Sequence, residues 1–582
     1  MKRNSNMTAN SSSIKYTLFM LFGLSAHAVQ AQVDTTKRKP GELPPTMEQV
    51  EVVRDYRPIL ADAVKIRQSP DLTNIRAYQP KLKYSIQDKK LDINTGTHRL
   101  EIQPLADLRR ETLYNSYAKL GVGNLSTLNG EVYLASGEDE FMQYGGFARH
   151  LSQKGKLEGQ SFSQQKIGVF ARSILDDFTL DGEIGFKRNA SNYYGYNPDL
   201  PDANLDPSSI AYSDIYAKGE LTSNFTDNDA LLSYSVKADA YLFSNNYDAG
   251  ENAFAISANV NKRVNVFNIG ANVSGDFASV KDAAYSIGNH IGKINPYVRF
   301  KGKGYNLTLG ANFVSEFGSQ SQTNIFPAVN LELAFIPEYA TIYAGVDGDV
   351  KRTSLRTLAY ENPYLNTNIA IENMTEKFNA YGGIKGNGGA TLGYKAGVFY
   401  KRINDLPFYV NAPNTIGPAD GSIYNFPRFD LIYDNGENNI YGLEGEIDFQ
   451  VSEAFKLGGK VTISEYDIEN EEEAWFMPKF RAEGNTRINI TDKVFVTGEL
   501  LFVGQTYAKV YESPYFGETA SLEYTKVTVP AFADLSAGIE YRITPRIGVY
   551  AQFNNLLNTS YQRFLYYPRL GFNAIGGVNF SF

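Results

Sequence analysis

The last residues of the chain, Phe572 to Phe582 (FNAIGGVNFSF), alternate between two kinds of side chain. The even-numbered positions are apolar or glycine, and they end in Val578, Phe580 and Phe582. The odd-numbered positions are polar or glycine, with Ile575 as the exception. Because successive side chains of a β-strand point to opposite faces, this pattern predicts a strand with one apolar and one polar face. Such a strand suits lipid on one side and water on the other.

The same alternation continues upstream of this strand. The segments 533–542 and 546–554 each separate apolar residues from polar ones, and the polar face of the first carries Glu540 and Arg542. Charged residues on that face argue against the dry core of a soluble sandwich. The alternating segments run to about ten residues or more, which is the length that a tilted strand needs to cross a bilayer.

Composition supports a membrane barrel over a helical membrane protein. The 582 residues include 40 Tyr, 36 Phe and 50 Gly but only one Trp, and the mean hydropathy is −0.32. After the N-terminus no apolar run reaches the roughly 18 residues of a membrane-spanning helix. Only helices and closed barrels satisfy their backbone hydrogen bonds in lipid, so a spanning structure must here be a barrel.

Turns and loops alternate between the predicted strands. Short turns at Asp176–Asp177, Gly302–Gly304 and Thr544–Pro545 contrast with long loops such as 351–376 and 404–436. Outer-membrane barrels have short periplasmic turns and longer external loops. We therefore predict an all-β fold, a transmembrane antiparallel barrel of about 22 strands. A barrel this wide cannot be filled by its own side chains, so its lumen must be plugged, ligand-filled or open.

Three regions are predicted along the chain. Residues 1–31 resemble a secretory signal peptide, with basic residues before an apolar run and small residues up to Ala31. Residues 32–115 are rich in proline and are predicted to be a periplasmic or lumenal segment, either a reduced plug or a linker. Residues 116–582 form the barrel. The expected location is the outer membrane of a Gram-negative cell, with outer-membrane lipid as a partner.

The sequence offers no enzymatic chemistry. It has no Cys, and its few His are far apart and lack metal-ligand spacing. The acidic clusters 199–206 and 471–473 are better explained as solvated loop charge than as calcium sites. A formal net charge of −8 disfavours a nucleic-acid partner. We expect neither catalytic activity nor a cofactor.

Several motifs resemble those of TonB-dependent receptors. They are Asn554–Asn558 (NNLLN) followed by Tyr561 and a strand ending at Phe582, the stretch Asp434–Glu437 leading into Gly442–Gly445, and Arg352–Leu365 (RTSLRTLAYENPYL). The resemblance covers roughly Tyr117 to Phe582 and implies a receptor-type barrel. It also implies that barrel-assembly machinery reads the terminal strand through Val578, Phe580 and Phe582.

The region before the barrel departs from the family pattern. Family members carry a plug of well over a hundred residues, whereas residues 32–115 number only about 84. One stretch there is similar to the TonB box, a short segment that pairs with a sheet edge of the energising protein TonB. Its residues are Glu48, Val50, Glu51, Val52 and Val53. An ordinary extended strand explains the same stretch.

Two functions fit the sequence. In the first, the external loops bind a small ligand or a surface lipoprotein, and the lumen admits the ligand after an energised rearrangement. Tyr193, Tyr194, Tyr196 and Trp475 are then candidates for stacking against the ligand, although Tyr is equally the residue of membrane-interface girdles. In the second, the chain is a plugless barrel with a structural or assembly-partner role and no energised transport.

Overall fold

The computed structural model describes residues 115–582, apart from 138, 140, 198–206, 225–231, 266, 320, 390, 413–426, 453 and 512–522. The predicted signal peptide, the TonB-box-like stretch Glu48–Val53 and all but the last residue of the 32–115 segment lie outside this range. The first strand begins at Tyr117.

Twenty-two strands form one sheet. They are β1 (Tyr117–Gly123), β2 (Thr127–Ala135), β3 (Met142–Lys154), β4 (Ser161–Ile174), β5 (Phe178–Asn192), β6 (Ser209–Ser223), β7 (Leu232–Asn245), β8 (Gly250–Val264), β9 (Phe267–Lys281), β10 (Ser286–Lys301), β11 (Tyr305–Gly318), β12 (Gln322–Ile336), β13 (Ala340–Lys351), β14 (Met374–Asn387), β15 (Leu392–Asn404), β18 (Asn438–Ser452), β19 (Phe455–Asp467), β20 (Phe480–Thr491), β21 (Val494–Val503), β24 (Phe532–Arg542), β25 (Ile547–Asn554) and β26 (Asn573–Ser581).

A second sheet has four shorter strands. They are β16 (Leu406–Asn411), β17 (Phe429–Asp434), β22 (Thr506–Tyr511) and β23 (Tyr524–Val529). Part of the predicted long loop 404–436 therefore forms strands of this separate sheet. One short helix, α1 (Leu355–Glu361), lies between β13 and β14. Within the described ranges, no helix is both long and apolar enough to cross a membrane.

The large sheet closes on itself through its first and last strands. Strand β1 pairs antiparallel with β26, from Tyr117 opposite Ser581 to Gly123 opposite Ile575. Backbone bonds between Ser116 and Phe582 extend this seam by one more pair, at 3.0 and 2.9 Å. Every other neighbouring pair is antiparallel as well, with β15 next to β18 and β21 next to β24. The predicted barrel and its strand number are confirmed.

The two faces of the wall differ as the alternation predicted. On β26 and the residue after it, Val578, Phe580 and Phe582 are 51%, 42% and 48% exposed on the outside, whereas Asn573 and Asn579 are buried on the inside. Ile575, the exception in the pattern, is also buried on the inner face. An apolar band on the outside of a closed barrel needs lipid around it, which makes this an outer-membrane β-barrel.

The inner face is polar over much of its area. An amide ladder crosses β8 to β11 through hydrogen bonds between the side chains of Asn259, Asn272, Asn295 and Asn312. It ends where Asn312 Nδ2 donates to the Gly348 carbonyl at 2.8 Å. Satisfied amides of this kind suit a hydrated wall, because each group keeps a partner without excluding water.

The connections separate the two ends of the barrel. The predicted turns at 176–177, 302–304 and 544–545 all join neighbouring strands at one end, as does the turn at 337–338. The long connections, including 352–373 and 555–572, all lie at the other. By the usual asymmetry of such barrels, the first end faces the periplasm and the second faces outward.

The terminal aromatic residue should be needed for membrane insertion. We expect Phe582→Asp to abolish insertion, because it places a charge on the lipid face of the seam strand and removes the residue that the assembly machinery is expected to read. The measurement is the amount of heat-modifiable barrel in purified outer membranes. Ser581→Asp is the matched control, since Ser581 faces the lumen. Normal amounts of folded Phe582→Asp protein would contradict the prediction.

Candidate functional site

Six long segments lie at the outer end of the barrel and together form the candidate site. We call them the outer loops. They are residues 193–208, 352–373, 405–437, 468–479, 504–531 and 555–572, of which 198–206, 413–426 and 512–522 are not described. Instead of standing apart as separate loops, their described parts are joined by backbone bonds, aromatic packing and ion pairs.

The small sheet joins three of these loops through their backbones. Hairpin β16–β17 comes from loop 405–437 and hairpin β22–β23 from loop 504–531, and they meet where Asn411 lies parallel to Val510. Loop 352–373 adds to the edge of β17, where Phe429 N donates to the Tyr364 carbonyl at 3.0 Å and Asn366 N donates to the Phe429 carbonyl at 2.8 Å. Apolar and aromatic residues in the two hairpins favour this extended structure.

An aromatic core lies between the loops. The rings of Tyr364 and Tyr567 stack with centroids 3.6 Å apart, and Tyr194 meets both rings edge-on. Phe429 packs edge-on against Phe564 with centroids 5.4 Å apart. Tyr567 and Phe429 are almost completely buried. Aromatic pairs of this geometry stabilise beyond their buried area, so four of the loops share one packed core.

Asp434 links two of the loops by hydrogen bonds to its carboxylate. This residue ends β17 and is 1% exposed. It accepts backbone N–H bonds from Gly436, Asn470 and Glu471, each at 2.9 Å. Burial by itself would raise the pKa of Asp434, but these donors outweigh burial and hold its pKa below the ordinary value. The charged form of Asp434 therefore holds loop 468–479 against loop 405–437.

Helix α1 attaches loop 352–373 to the barrel wall. Its start is set by Ser354, whose hydroxyl accepts a bond from Thr357 N as an N-cap. Its buried residues, Leu355, Leu358 and Ala359, belong to an apolar cluster that includes inner-face residues of β6 to β9. The wall thus covers the apolar side of this seven-residue helix. A helix this short is stable only when it packs against other parts of the structure.

Two arginines, one before the helix and one in its first turn, add ion pairs to this attachment. The first binds wall carboxylates of β8 and β9. Arg352 forms ion pairs with Glu251 and, at 3.0 Å, with Asp276. Glu251 is fully buried and also accepts the Ser354 hydroxyl at 2.8 Å and the Arg356 N–H at 3.0 Å. Although burial works against its charge, Arg352 has a raised pKa because Glu251, together with Tyr241 and Asp276, outweighs it.

The second arginine binds a carboxylate of β6. Arg356 contacts Asp214 at 2.8 Å, and the Tyr360 hydroxyl donates to the same oxygen at 2.8 Å. Asp214 is 1% exposed. Burial and the Asp214 charge both raise the pKa of Tyr360, so this hydroxyl stays a donor. We call the contacts of Arg352 and Arg356 with Glu251, Asp276 and Asp214 the loop latch.

The residues predicted to stack on a ligand lie at different depths in this site. Tyr193 is 1% exposed and donates to the Leu365 carbonyl at 2.7 Å, while Tyr194 donates to the Pro568 carbonyl at 3.0 Å. Trp475 is also 1% exposed and donates to Glu471 Oε2 at 2.8 Å. Tyr196 is 42% exposed. In this conformation only Tyr196 among them offers much surface, and a ligand role for these residues stays a prediction.

The acidic run beside Trp475 is paired with lysines. Glu471 contacts Lys509 at 2.8 Å, and Glu472 and Glu473 both pair with Lys526. No group of three or more acidic or His side chains that could hold a metal occurs among the residues that the structure describes. His150 and His290 lie apart on β3 and β10. Residues 199–206, the other acidic cluster, lie outside the described range.

Sequence reasoning did not single out the loop latch. Arg352 and Arg356 fall in the stretch quoted for its resemblance to receptor barrels, but no motif included Glu251, Asp276 or Asp214. The available signal was their position near the outer ends of neighbouring strands, where a returning loop could reach them.

Comparisons with known proteins find similar folds among solved structures but no match by sequence. No protein-family model matches the chain, and no curated protein matches it by sequence. Among solved structures, it is similar to the pyoverdine outer membrane receptor FpvA of Pseudomonas aeruginosa, with 12% identity, a TM-score of 0.60, and coverage of 81% of this chain and 79% of that one. It has the barrel fold of TonB-dependent receptors.

Two further structures show the same likeness. The siderophore receptor PirA of Acinetobacter baumannii shares 12% identity at a TM-score of 0.57, and 81% of each chain is covered. The ferric-catecholate import receptor Fiu of E. coli K12 shares 9% identity at a TM-score of 0.58, covering 81% of this chain and 82% of that one. The resemblance predicted from the sequence motifs is confirmed at the level of fold.

Breaking the loop latch should release loop 352–373. Arg352→Ala leaves Glu251 buried without its main cation, and losing one partner of such a pair costs about 3–5 kcal/mol. We expect faster amide hydrogen exchange in residues 352–373, measured by mass spectrometry on the folded barrel. Lys479→Ala is the control, because its pair with Glu465 is exposed and worth about 0–1 kcal/mol. Equal exchange in both variants would show that the latch does not hold the loop.

The Asp434 link should weaken in acid. A carboxyl with a depressed pKa stabilises the folded form above its unfolded pKa of about 3.9, and this stabilisation is lost as pH falls through the lower folded value. We expect exchange in residues 468–479 to rise below about pH 4 in the natural protein. In Asp434→Asn it should be raised already at neutral pH and change little with acid. A similar acid response in both proteins would rule out Asp434 as the titrating group.

Proposed function

We propose that this protein is an outer-membrane receptor that binds a ligand at its outer loops and admits it into the barrel lumen. The observation that carries the proposal is the joined set of outer loops attached by the latch to the inner wall. A barrel of 22 strands encloses more space than its side chains fill. A loop that closes over such a lumen through a few ion pairs gives two discrete arrangements, closed and released.

Ligand binding can shift that equilibrium only if it favours one arrangement. The latch can make the ligand affinity of the two arrangements differ, because a ligand that displaces α1 or moves Tyr364 also disturbs the Arg352 and Arg356 contacts. The similar proteins FpvA, PirA and Fiu are described as pyoverdine, siderophore and ferric-catecholate receptors. Their ligands make an iron-carrying small molecule the first candidate for this chain.

Energised uptake further requires a contact with TonB. We propose that Glu48–Val53 supplies it by adding a strand to the sheet edge of TonB, a mode in which main-chain hydrogen bonds give the affinity. We also propose that residues 32–115 act as a reduced plug. Planar-bilayer conductance with and without residues 33–110 measures that role, and an unchanged low conductance after deletion would assign the seal to the outer loops.

The alternative is a barrel with a structural or assembly-partner role and no energised transport. The latch does not decide between the two functions, since outer loops that stay closed permanently would also stabilise a structural barrel. The functions differ in whether the chain engages TonB.

A peptide of residues 44–58 should bind the periplasmic domain of TonB from the same cell. The measurement is fluorescence anisotropy of the labelled peptide. Val50→Pro is the diagnostic variant, because proline removes a backbone donor and cannot complete the added ladder. We expect binding by the natural peptide and at least about tenfold weaker binding by the variant, the equivalent of a hydrogen bond or two.

The same change in the full-length protein provides the cellular test. Val50→Pro should leave the folded barrel in the outer membrane but abolish growth that depends on uptake through it, assayed on a panel of iron–siderophore complexes under iron limitation. Absence of peptide binding, or full growth of the variant, would favour the structural role.

A further inference from the structure

Three polar side chains meet on the lipid face of the barrel near its outer end. His150 and Ser152 lie two positions apart on β3, and Gln165 lies directly opposite His150 on β4. His150 Nε2 and Ser152 Oγ are 3.3 Å apart, and His150 Nδ1 is 3.3 Å from the amide nitrogen of Gln165. The imidazole therefore joins a hydroxyl on one side to an amide on the other.

Strand alternation places all three on the outside of the wall. The even-numbered residues of β3 include the exposed Tyr144, and the odd-numbered residues of β4 include the exposed Ile167. His150, Ser152 and Gln165 belong to the same two sets. The intervening residues of both strands face the lumen.

The three residues lie at the outer margin of the apolar band. Strand β3 ends at Lys154, and the connection 155–160 to β4 is at the outer end of the barrel. Ser152 is two residues from that end, a rise of roughly 6–7 Å along the strand. At this depth the hydrocarbon of a bilayer gives way to its head groups. The acyl esters of outer-leaflet lipids therefore lie at the level of these side chains.

A histidine on a lipid face is costly, and ionisable residues in a membrane mark functional sites by default. The barrel offers a comparison in His290, which also faces outward. Its ring packs against Phe277 and Phe317, with centroids 6.0 and 5.5 Å away, and its Nδ1 accepts the Ala278 N–H at 3.2 Å. Of these two histidines, only His150 forms a hydrogen bond to a side-chain hydroxyl within the described residues.

The orientation of the Gln165 amide decides which nitrogen of His150 carries the proton. As placed, the amide nitrogen donates to Nδ1, while Gln165 Oε1 is buried and has no hydrogen-bond partner among the described residues. A half-turn of the amide exchanges its oxygen and nitrogen in nearly the same space. Nδ1–H then donates to Oε1, which gains the donor that it lacks. Nε2 is left to accept the Ser152 hydroxyl.

This order of groups activates a serine nucleophile. A general base lies beside the hydroxyl, and a third group fixes the tautomer and orientation of that base. Both contacts are 3.3 Å long. Working pairs have about 2.6–3.2 Å, and such contacts are commonly longer before substrate binds.

Two cations flank the three residues on the same outer face. Lys154 lies two positions beyond Ser152, and Arg188 lies opposite Gln165 on β5, where the alternating residue Ile184 is exposed to lipid. Both cations are exposed. Guanidinium and ammonium groups bind phosphate. A lipid whose phosphate contacts them would have its acyl esters close to Ser152.

We propose that Ser152, His150 and Gln165 form a lipid-facing esterase site that cleaves acyl esters of phosphate-bearing lipids in the outer leaflet. Ser152 Oγ attacks the ester carbonyl carbon, and His150 Nε2 takes the hydroxyl proton. The bond from that carbon to the alcohol oxygen of the lipid breaks, and His150 passes the proton to this oxygen. Water then attacks the acyl-serine with His150 again as base, which releases the fatty acid and restores Ser152. Gln165 is a positioning residue, because it acts through His150.

This activity goes beyond the proposed receptor function and does not depend on it, since the site faces lipid and not the lumen. The sequence predicted no catalytic activity. The three residues form no recognisable motif, and Gln165 reaches His150 only through the pairing of β3 with β4.

The first test is covalent labelling of the full-length protein in detergent with a fluorophosphonate, a probe that reacts with activated serines. We expect the label on Ser152, located by peptide mass spectrometry, and no label in Ser152→Ala or His150→Ala. Ser163→Ala is the matched control, because Ser163 lies opposite Ser152 on the same face of β4. His290→Ala is the control for a lipid-facing histidine. Heat-modifiability shows that each variant has folded.

The second test measures fatty-acid release from mixed micelles of phosphatidylethanolamine and, separately, of lipid A. We expect release from at least one lipid, and the two arms distinguish a glycerol ester from a sugar ester. Ser152→Ala and His150→Ala should each lower the rate about a hundredfold or more, whereas Ser163→Ala and His290→Ala should not. Absence of labelling, labelling without release from either lipid, or equal losses in Ser152→Ala and Ser163→Ala would overturn the proposal.

Two variants of Gln165 test its positioning role. Gln165→Leu removes the acceptor for Nδ1–H and should lower kcat and the labelling rate about tenfold or more, with KM nearly unchanged. Gln165→Glu keeps an acceptor of the same shape and, when ionised, cannot donate. It should therefore retain most of the activity. Equal losses in the two folded variants would show that the amide has only a structural role and would overturn the assignment of Gln165.

Discussion

A chain in lipid must pair every backbone donor and acceptor within itself, and this constraint shapes the whole barrel. The sheet meets it by closing β1 onto β26, so no edge is left in the membrane. Closure also fixes which side of each strand faces out, because a shift of register by one residue would turn every apolar side chain into the lumen. The inner wall is then free to carry charge, and the latch carboxylates depend on that freedom.

The outer loops are held by a different balance of forces. Their aromatic core excludes water much as a small domain core does, while the latch places charged pairs where solvent is scarce. A buried ion pair offers little net stability over an apolar substitute, but its geometry is demanding, and losing one partner is costly. Such contacts favour one well-defined closed arrangement over many loosely packed ones.

The barrel could be predicted from the sequence, but the packing of the outer loops could not. Alternation in segments such as 572–582 shows that each strand has lipid on one face and water on the other. The lengths of the turns and loops distinguish the two ends of the barrel. The fold and the strand number could therefore be predicted from the sequence. The packing of the outer loops depends on contacts between residues far apart in the chain, which a local sequence pattern does not reveal. Arg352 and Glu251 are 101 positions apart, and nothing in either neighbourhood indicates the other. Tyr193 and Trp475 looked like exposed loop aromatics because burial by other loops leaves no periodic trace.

Two glycines on the inner wall leave room for aromatic rings, a role different from the usual one of glycine in turns. Where Tyr216 lies over Gly185 and Phe147 over Gly168, the missing side chain lets a ring rest on the backbone. An added methyl group at either glycine would lie within 3 Å of ring atoms and push the ring toward the barrel axis. Single carbon atoms at these two glycines would thus set how far the rings project into the lumen.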